Sequence, residues 1–208
     1  MIGSLPLDAE VVTREQLGRA SARFVSTCTK NAKFLPKDAT QRVLKEEGDQ
    51  LAREMFEVLR ARVERHSKIV VRRVTVNRDL TPEQMIEAAG YADSIYWRLI
   101  KNMPRQGAGI EEVDVYFFNP GRLLTNDELE KVLVASGLER DCYAQIQANI
   151  DDPSIADKFP NGVQWDNIDG KTSYVVFGRG SIGNVVRIAR DDRDWDGGWW
   201  FAGVRKVS

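Results

Sequence analysis

The cluster of aromatic residues near the end of this 208-residue chain constrains its fold more than any other feature. Trp195, Trp199, Trp200 and Phe201 lie within seven residues, and they follow a run of short β-like segments. Neighbouring side chains on a strand point to opposite faces of the sheet, so Trp199 and Trp200 enter different layers. We therefore expect a sheet that carries apolar groups on both of its faces.

The same pattern recurs upstream in residues 113–118, where Tyr116 and Phe118 oppose Val115 and Phe117. In an antiparallel sheet with one solvent-exposed face, apolar and polar residues alternate along each strand. These strands are apolar on both faces, so we expect both faces of the sheet to be packed against other groups. The cover is either helices of the same chain or a second molecule, since monomers rarely leave aromatic patches bare. In the second case, the aromatic face that contacts the partner consists of Tyr116, Trp195 and Trp200.

The first third of the chain has helical periodicity. Residues 13–34 repeat apolar groups at helical spacing after Thr13, a suitable N-cap. Pro36 ends this helix, and a second, longer helix runs to about Arg65 through Gly48, which weakens a helix without having to break it. We predict an amphipathic helical hairpin over residues 1–66, with a surface suited to dimerisation.

Residues 67–208 are predicted to form an α+β domain, because helix and strand signals are segregated rather than alternating. Thr81 and Thr125 each open a helix with capping signals, and a further helical piece covers residues 93–102. From residue 163 onward the signals are all β, and Asp169-Gly170 marks a hairpin. Four strands in succession predict an antiparallel meander; they cover residues 163–168, 172–177, 184–190 and 199–207. The expected fold is thus a helical hairpin followed by a mainly antiparallel sheet packed with short helices.

Charge gives a second hypothesis. The formal net charge is −1, so no global field recruits nucleic acid or an anionic membrane. Residues 67–110 nevertheless carry seven basic and four acidic groups. A phosphate or nucleic-acid site is predicted there at Arg98, Lys101 and Arg105. This function is not favoured, because a nucleic-acid surface usually shows a pronounced basic stripe.

Two short motifs match ligand-binding patterns only in part. Residues 178–183 fit GxGxxG, but a β-branched run follows instead of the helix that a dinucleotide site needs. We predict a glycine-rich hairpin turn there and no cofactor. The turn with Asp192, Asp194 and Asp196 matches the opening of a calcium loop, but Gly203 stands where the loop needs a glutamate. A solvated acidic turn is favoured, and calcium binding stays open.

The reactive residues are few. His66 is the single histidine, and Cys28 and Cys142 are the two cysteines, so zinc motifs and histidine-based nucleophilic catalysis lack their usual residues. We predict no metal site. His66 is interpreted as a cation near a helix C-terminus. An enzyme whose site is assembled by the fold, in a cleft near residues 103–110, stays as an alternative.

The sequence therefore favours a non-enzymatic protein-interaction or assembly module whose partner is another protein or a second copy. Residues 1–6 lack the basic and apolar regions of a signal peptide. No segment approaches the roughly 20 apolar residues that span a membrane. We expect a cytoplasmic protein with no membrane partner.

Overall fold

The computed structural model describes residues 12–90, 92–95, 97–166, 171–180, 183–190 and 194–205. The described residues fall into two compact units, one helical up to Ser67 and one that begins at Lys68. The helical unit precedes a sheet packed with short helices, and the predicted α+β class is confirmed.

The helical unit contains α1 (Arg14–Lys30), a short 3₁₀ turn (Ala32–Phe34), α2 (Lys37–Glu46) and α3 (Gly48–Ser67). Thr13 caps α1 through a capping box. The single long helix predicted up to Arg65 is wrong, because Glu47 leaves the helical region with φ −123° and ψ 8°. Glycine has the largest conformational freedom of any residue, and Gly48 starts the next helix at this break.

The second unit contains an eight-stranded mixed sheet in the described residues. Its order is β1-β3-β8-β5-β6-β7-β2, and β4 also pairs with β8. The strands are β1 (Ile69–Asn77), β2 (Ala92–Ile95), β3 (Ile110–Phe118), β4 (Leu138–Glu139), β5 (Asn161–Asp166), β6 (Thr172–Gly180), β7 (Gly183–Arg190) and β8 (Trp200–Arg205). The helices are α4 (Pro82–Ala88), α5 (Trp97–Ile100), α6 (Asn126–Ala135), α7 (Cys142–Asp151) and α8 (Ser154–Lys158).

The C-terminal strands only partly form the predicted meander. β5, β6 and β7 are antiparallel neighbours, and Gly180 pairs with Gly183, so the predicted hairpin at the GxGxxG motif is confirmed. The fourth strand of the predicted meander is wrong: β8 lies between β3 and β5 and runs parallel to β5. In this central position β8 has partners along both edges and buries Trp200 and Phe201 on opposite faces, whereas next to β7 it would leave one edge unpaired.

The helix predicted over residues 93–102 is also wrong in its first half. Residues 92–95 form β2, which pairs in parallel with β7, and only Trp97–Ile100 is helical. Gly90 follows α4 with φ +90°, a value that favours glycine and redirects the chain. Pairing with β7 then satisfies backbone groups that an exposed strand edge leaves open.

Both faces of the central strands are covered by the chain itself. On one face, α7 packs on β1, β3, β5 and β8 and encloses a core that includes Phe117, Tyr143 and Ile146. On the other face, Phe118 and Phe201 pack with ring centroids 5.9 Å apart. A Cβ at Gly203 would lie 3.0 Å from Leu133 of α6. Of the two predicted kinds of cover, the chain itself provides the one over β8, so no second molecule is needed there.

Candidate functional site

The structure places two of the three predicted aromatic residues in the interior. Trp200 is 9% exposed and Trp195 is 7% exposed. The ring of Trp200 lies 4.4 Å from that of Phe159. Trp195 packs 5.2 Å from Phe201 on the other face, and its Nε1 donates to Asn126 Oδ1 at 2.9 Å. These rings are covered by other parts of the same chain, so they offer little surface to a partner.

Tyr116, the third member of the predicted aromatic face, lies apart from the two tryptophans. It is half-buried on β3 and pairs with Gly203 of β8. The Arg205 Nε donates to the Tyr116 hydroxyl at 2.9 Å, and the guanidinium carbon lies 5.3 Å from the ring centroid. The structure therefore separates Tyr116, Trp195 and Trp200 instead of bringing them into one surface, and partner binding by them stays a prediction.

The predicted phosphate site is a set of exposed cations. Arg98 lies in α5, Lys101 just beyond it and Arg105 in the following segment, and all three are exposed. None of them forms an ion pair or hydrogen bond with another described residue. These side chains are therefore accessible to an anion, but no buried side chain among the described residues holds them in a fixed arrangement. Phosphate binding at these residues stays a prediction.

A cleft does exist beside residues 103–110. It encloses about 370 Å³ between β3, β4, the end of β8 and the segment around Gln106 and Gly107. Five acidic side chains and two arginines line it. These charged groups are Arg78, Glu111, Glu112, Asp114, Glu139, Asp141 and Arg205.

Arg78 forms one wall of this cleft and is 2% exposed. Its NH1 and NH2 donate to Asp141 at 2.8 and 2.6 Å, and its Nε donates to Glu111 at 2.6 Å. Burial lowers the pKa of Arg78, but the hydrogen bonds and charges of Asp141 and Glu111 outweigh it, so the pKa is raised overall. Asp141 also caps α7 by accepting from the Ala144 N–H at 2.9 Å. This ion pair therefore ties the end of β1 to α7.

The cleft is lined mainly by charged side chains. Its described lining includes no serine, threonine, cysteine or histidine. Cys142 follows Asp141 in α7, but it is buried, and burial raises the pKa of its thiol far above the ordinary value, which keeps it protonated. The hydrogen bond from Arg73 lowers the pKa of Asp114 despite partial burial. The fold-built enzyme site considered as an alternative thus has a cleft with carboxylates and Tyr116 in its described lining, and catalysis there stays a prediction.

The helical unit exposes many large apolar side chains among the described residues. None of α1, α2 and α3 contains a buried residue. On α3, Phe56 is 60% exposed, Val58 59% and Val63 55%. Together with Leu51, Met55 and Leu59 these side chains cover an arc of about 160° at 100° per residue. An arc this wide is typical of a helix that packs against more than one neighbour.

The sequence predicted amphipathic helices in residues 1–66 but placed the specific contact residues on the sheet. The signal that would have found the α3 surface is its spacing: Ala52, Phe56, Leu59 and Val63 follow each other at steps of four, three and four residues, which is the seam of a helix-packing surface. A sequence alone does not reveal whether such a seam is covered by another part of the same chain.

Comparisons of this chain with protein-family models, with curated proteins and with solved structures find no match. In the described part of the chain, no group of three or more His, Cys, Asp or Glu side chains is placed to hold a metal ion. Asp192 of the acidic turn lies outside the described residues, whereas Asp194 and Asp196 are exposed. No helix among the described residues is long and apolar enough to cross a membrane.

Proposed function

We propose that this protein is a non-enzymatic assembly module in which the helical unit binds the helical unit of a second copy. The observation that carries the proposal is that residues 12–67 contain no buried side chain although they form three amphipathic α-helices. Most of the stability of a helix in a protein comes from packing its amphipathic face, not from intrinsic propensity. The helices of this unit therefore need a partner surface.

The exposed apolar area matches what a dimer requires. Twelve large apolar side chains in residues 12–67 are at least 39% exposed. At the areas that such side chains bury, this amounts to on the order of 800 Å² for each copy. A specific protein–protein interface of standard size buries about 800 Å² on each partner. A second copy of the same unit presents the same apolar surface, so mutual burial covers both.

The test is the oligomeric state of the full chain, measured by sedimentation velocity between about 1 and 100 µM, the range in which moderate self-association is resolved. We expect a concentration-dependent dimer for the natural sequence. Phe56→Asp combined with Val63→Asp places two carboxylates in the apolar surface and should give a monomer over the whole range. Burying unpaired charges in an interface is strongly unfavourable.

The matched control is Ala61→Asp, which adds a carboxylate to the opposite side of the same helix, at an exposed position. It should leave the dimer unchanged. A natural chain that is monomeric at every concentration overturns the proposal, and so does a dimer that survives the Phe56→Asp and Val63→Asp changes.

A further inference from the structure

The charges of α3 are polarised along its axis. Within α3, residues 48–57 contain three acidic residues and one arginine, whereas residues 58–67 contain three arginines and one glutamate. Resting on the proposed self-assembly, we infer that the two copies pair antiparallel along α3, so that the acidic half of each helix lies beside the basic half of the other. A parallel pair in register would instead bring like charges together, which is unfavourable.

The first helix strengthens this polarity. α1 contains four basic residues and one acidic residue. Arg19 and Arg23 of α1 line a groove together with Arg62 of α3, and Phe24 forms its apolar part. Arg19 pairs with Glu15, while the side chains of Arg23 and Arg62 form no ion pair or hydrogen bond with any described residue. Positive charge thus collects beside the C-terminal half of α3 and is available to an acidic partner.

The helix dipole explains only the ends of this pattern. Acidic residues near the N-terminus and basic residues near the C-terminus stabilise a helix, but the effect falls off within the first and last turns. Asp49 and Arg65 lie in those turns. Glu54 and Arg62 lie further inside, where the dipole has little effect. The separation of acidic from basic residues along the helix therefore indicates a charge pattern that the charges of a neighbouring helix can complement.

The pairing has a specific register. A symmetric dimer places the same patch of both copies around a two-fold axis. Val58 lies halfway along α3 and at one border of its apolar arc. With Val58 at the axis, Glu54 of each copy lies opposite Arg62 of the other, because both are one turn, about 6 Å, from Val58. Both side chains are exposed. At 100° per residue, Glu54 lies about 40° outside the apolar arc, next to Val58, and Arg62 lies inside it, between Leu51 and Met55.

The test is charge reversal in the full chain, followed by sedimentation velocity at low salt. Glu54→Lys alone and Arg62→Glu alone should each raise the dissociation constant of the dimer about tenfold, because two attractive pairs per dimer become repulsive. The double variant Glu54→Lys with Arg62→Glu restores opposite charges and should return close to the natural affinity. At about 1 M salt, where the screening length is about 3 Å, the four proteins should differ little.

The results of this experiment distinguish failure of the antiparallel pairing from failure of the proposed self-assembly. If the natural chain is a dimer but the single reversals leave its affinity unchanged, or the double variant is weaker than both singles, antiparallel pairing is overturned while self-assembly stands. If the natural chain is a monomer, the proposed function itself fails. Circular dichroism of each variant checks that helicity is retained.

Disulfide cross-linking tests the orientation of the two helices if one of the charge variants misfolds. In a Cys28→Ser background, chains carrying Glu54→Cys and chains carrying Arg62→Cys are mixed under mild oxidation. Antiparallel pairing predicts that the mixed disulfide between the two kinds of chain dominates. Dominant disulfides between like chains would show parallel pairing and overturn the inference.

Discussion

Arg78 and Asp141 bury opposite charges where β1 meets α7. Both side chains are less than 4% exposed, and they share two hydrogen bonds. Asp141→Asn keeps an oxygen that can cap α7 but removes the charge that balances Arg78. Since breaking a buried pair leaves an uncompensated charge, we expect the free energy of unfolding to fall by about 3 kcal/mol, measured by urea denaturation.

The control for this change is the pair between Arg73 and Asp114, which is also formed by two hydrogen bonds but lies on the surface. Asp114→Asn should change the unfolding free energy far less, because solvent screens exposed charges. If the two substitutions cost the same, burial is not what makes the Arg78 pair important.

A second buried polar group joins α7 to the start of β5. The Asn161 Oδ1 accepts from Gln145 at 2.6 Å and from Asn149 at 3.0 Å, and Asn161 returns a hydrogen bond to Asn149. Amide networks of this kind fix one register between elements, because any shift leaves buried polar groups unpaired. Composition and periodicity gave no sign of this network, since each of its residues is ordinarily found at the surface.

Among the elements, β8 depends on a glycine at its centre. A Cβ at Gly203 would lie 3.0 Å from the Glu139 carbonyl oxygen and 3.0 Å from Leu133 Cδ2. The Glu139 backbone is held by its pairing with β8, so it has little room to move. We expect Gly203→Ala to lower the unfolding free energy by about 1–3 kcal/mol through overpacking, again measured in urea.

Gly178 of β6 supplies the matched substitution, because a Cβ there would have its nearest contact at 3.9 Å from Pro160. Gly178→Ala should be neutral or slightly stabilising, since alanine restricts the unfolded chain. Equal losses at both glycines would mean that backbone preference, not the close approach of α6 and β4, controls the result.

The local sequence signals predicted where helices and strands lie better than they predicted which strands are adjacent in the sheet. The helix starts at Thr13, Thr81 and Thr125 follow directly from capping chemistry, and each has the expected capping box. The position of β8 between β3 and β5 was missed, because alternation along a strand reports burial of its faces and contains nothing about which strands lie beside it. β2 was missed because its pairing with β7 overrode a weak helical pattern.

At the scale of the whole molecule, the two units differ in what stabilises them. The sheet unit has a continuous buried core, whereas the helices of the other unit have none in the described chain. Proteins open locally with free energies set by the contacts of each region. Amide exchange in α3 should therefore depend on protein concentration, while exchange in β3 and β8 should not.

Hydrogen exchange at two concentrations checks this expectation. A hundredfold dilution through the dissociation range should reduce protection in α3 by about tenfold or more, because association stabilises only what it binds. Equal behaviour of α3 and β3 would contradict a helical unit that depends on a second copy.

The sequence predicted an exposed apolar surface, but it placed that surface on the sheet. Exposed apolar groups pointed to an assembly role, but the aromatic residues chosen for it, Trp195 and Trp200, are covered by the chain itself. Large aromatic side chains contribute most to cores as well as to interfaces, so composition cannot separate the two uses. Only the fold decides which apolar surface is left over, and here it is that of α3.

The central place of β8 also dictates the order in which the sheet is completed. The strands on one side of it, β1 and β3, and those on the other, β5, β6, β7 and β2, are joined in the described sheet through β8. Because β8 follows the other described strands in the sequence, a nascent chain holds two sheet fragments with open edges until β8 emerges. Such unpaired edges are prone to misassociation, so we expect that rapid insertion of β8 protects the newly made protein.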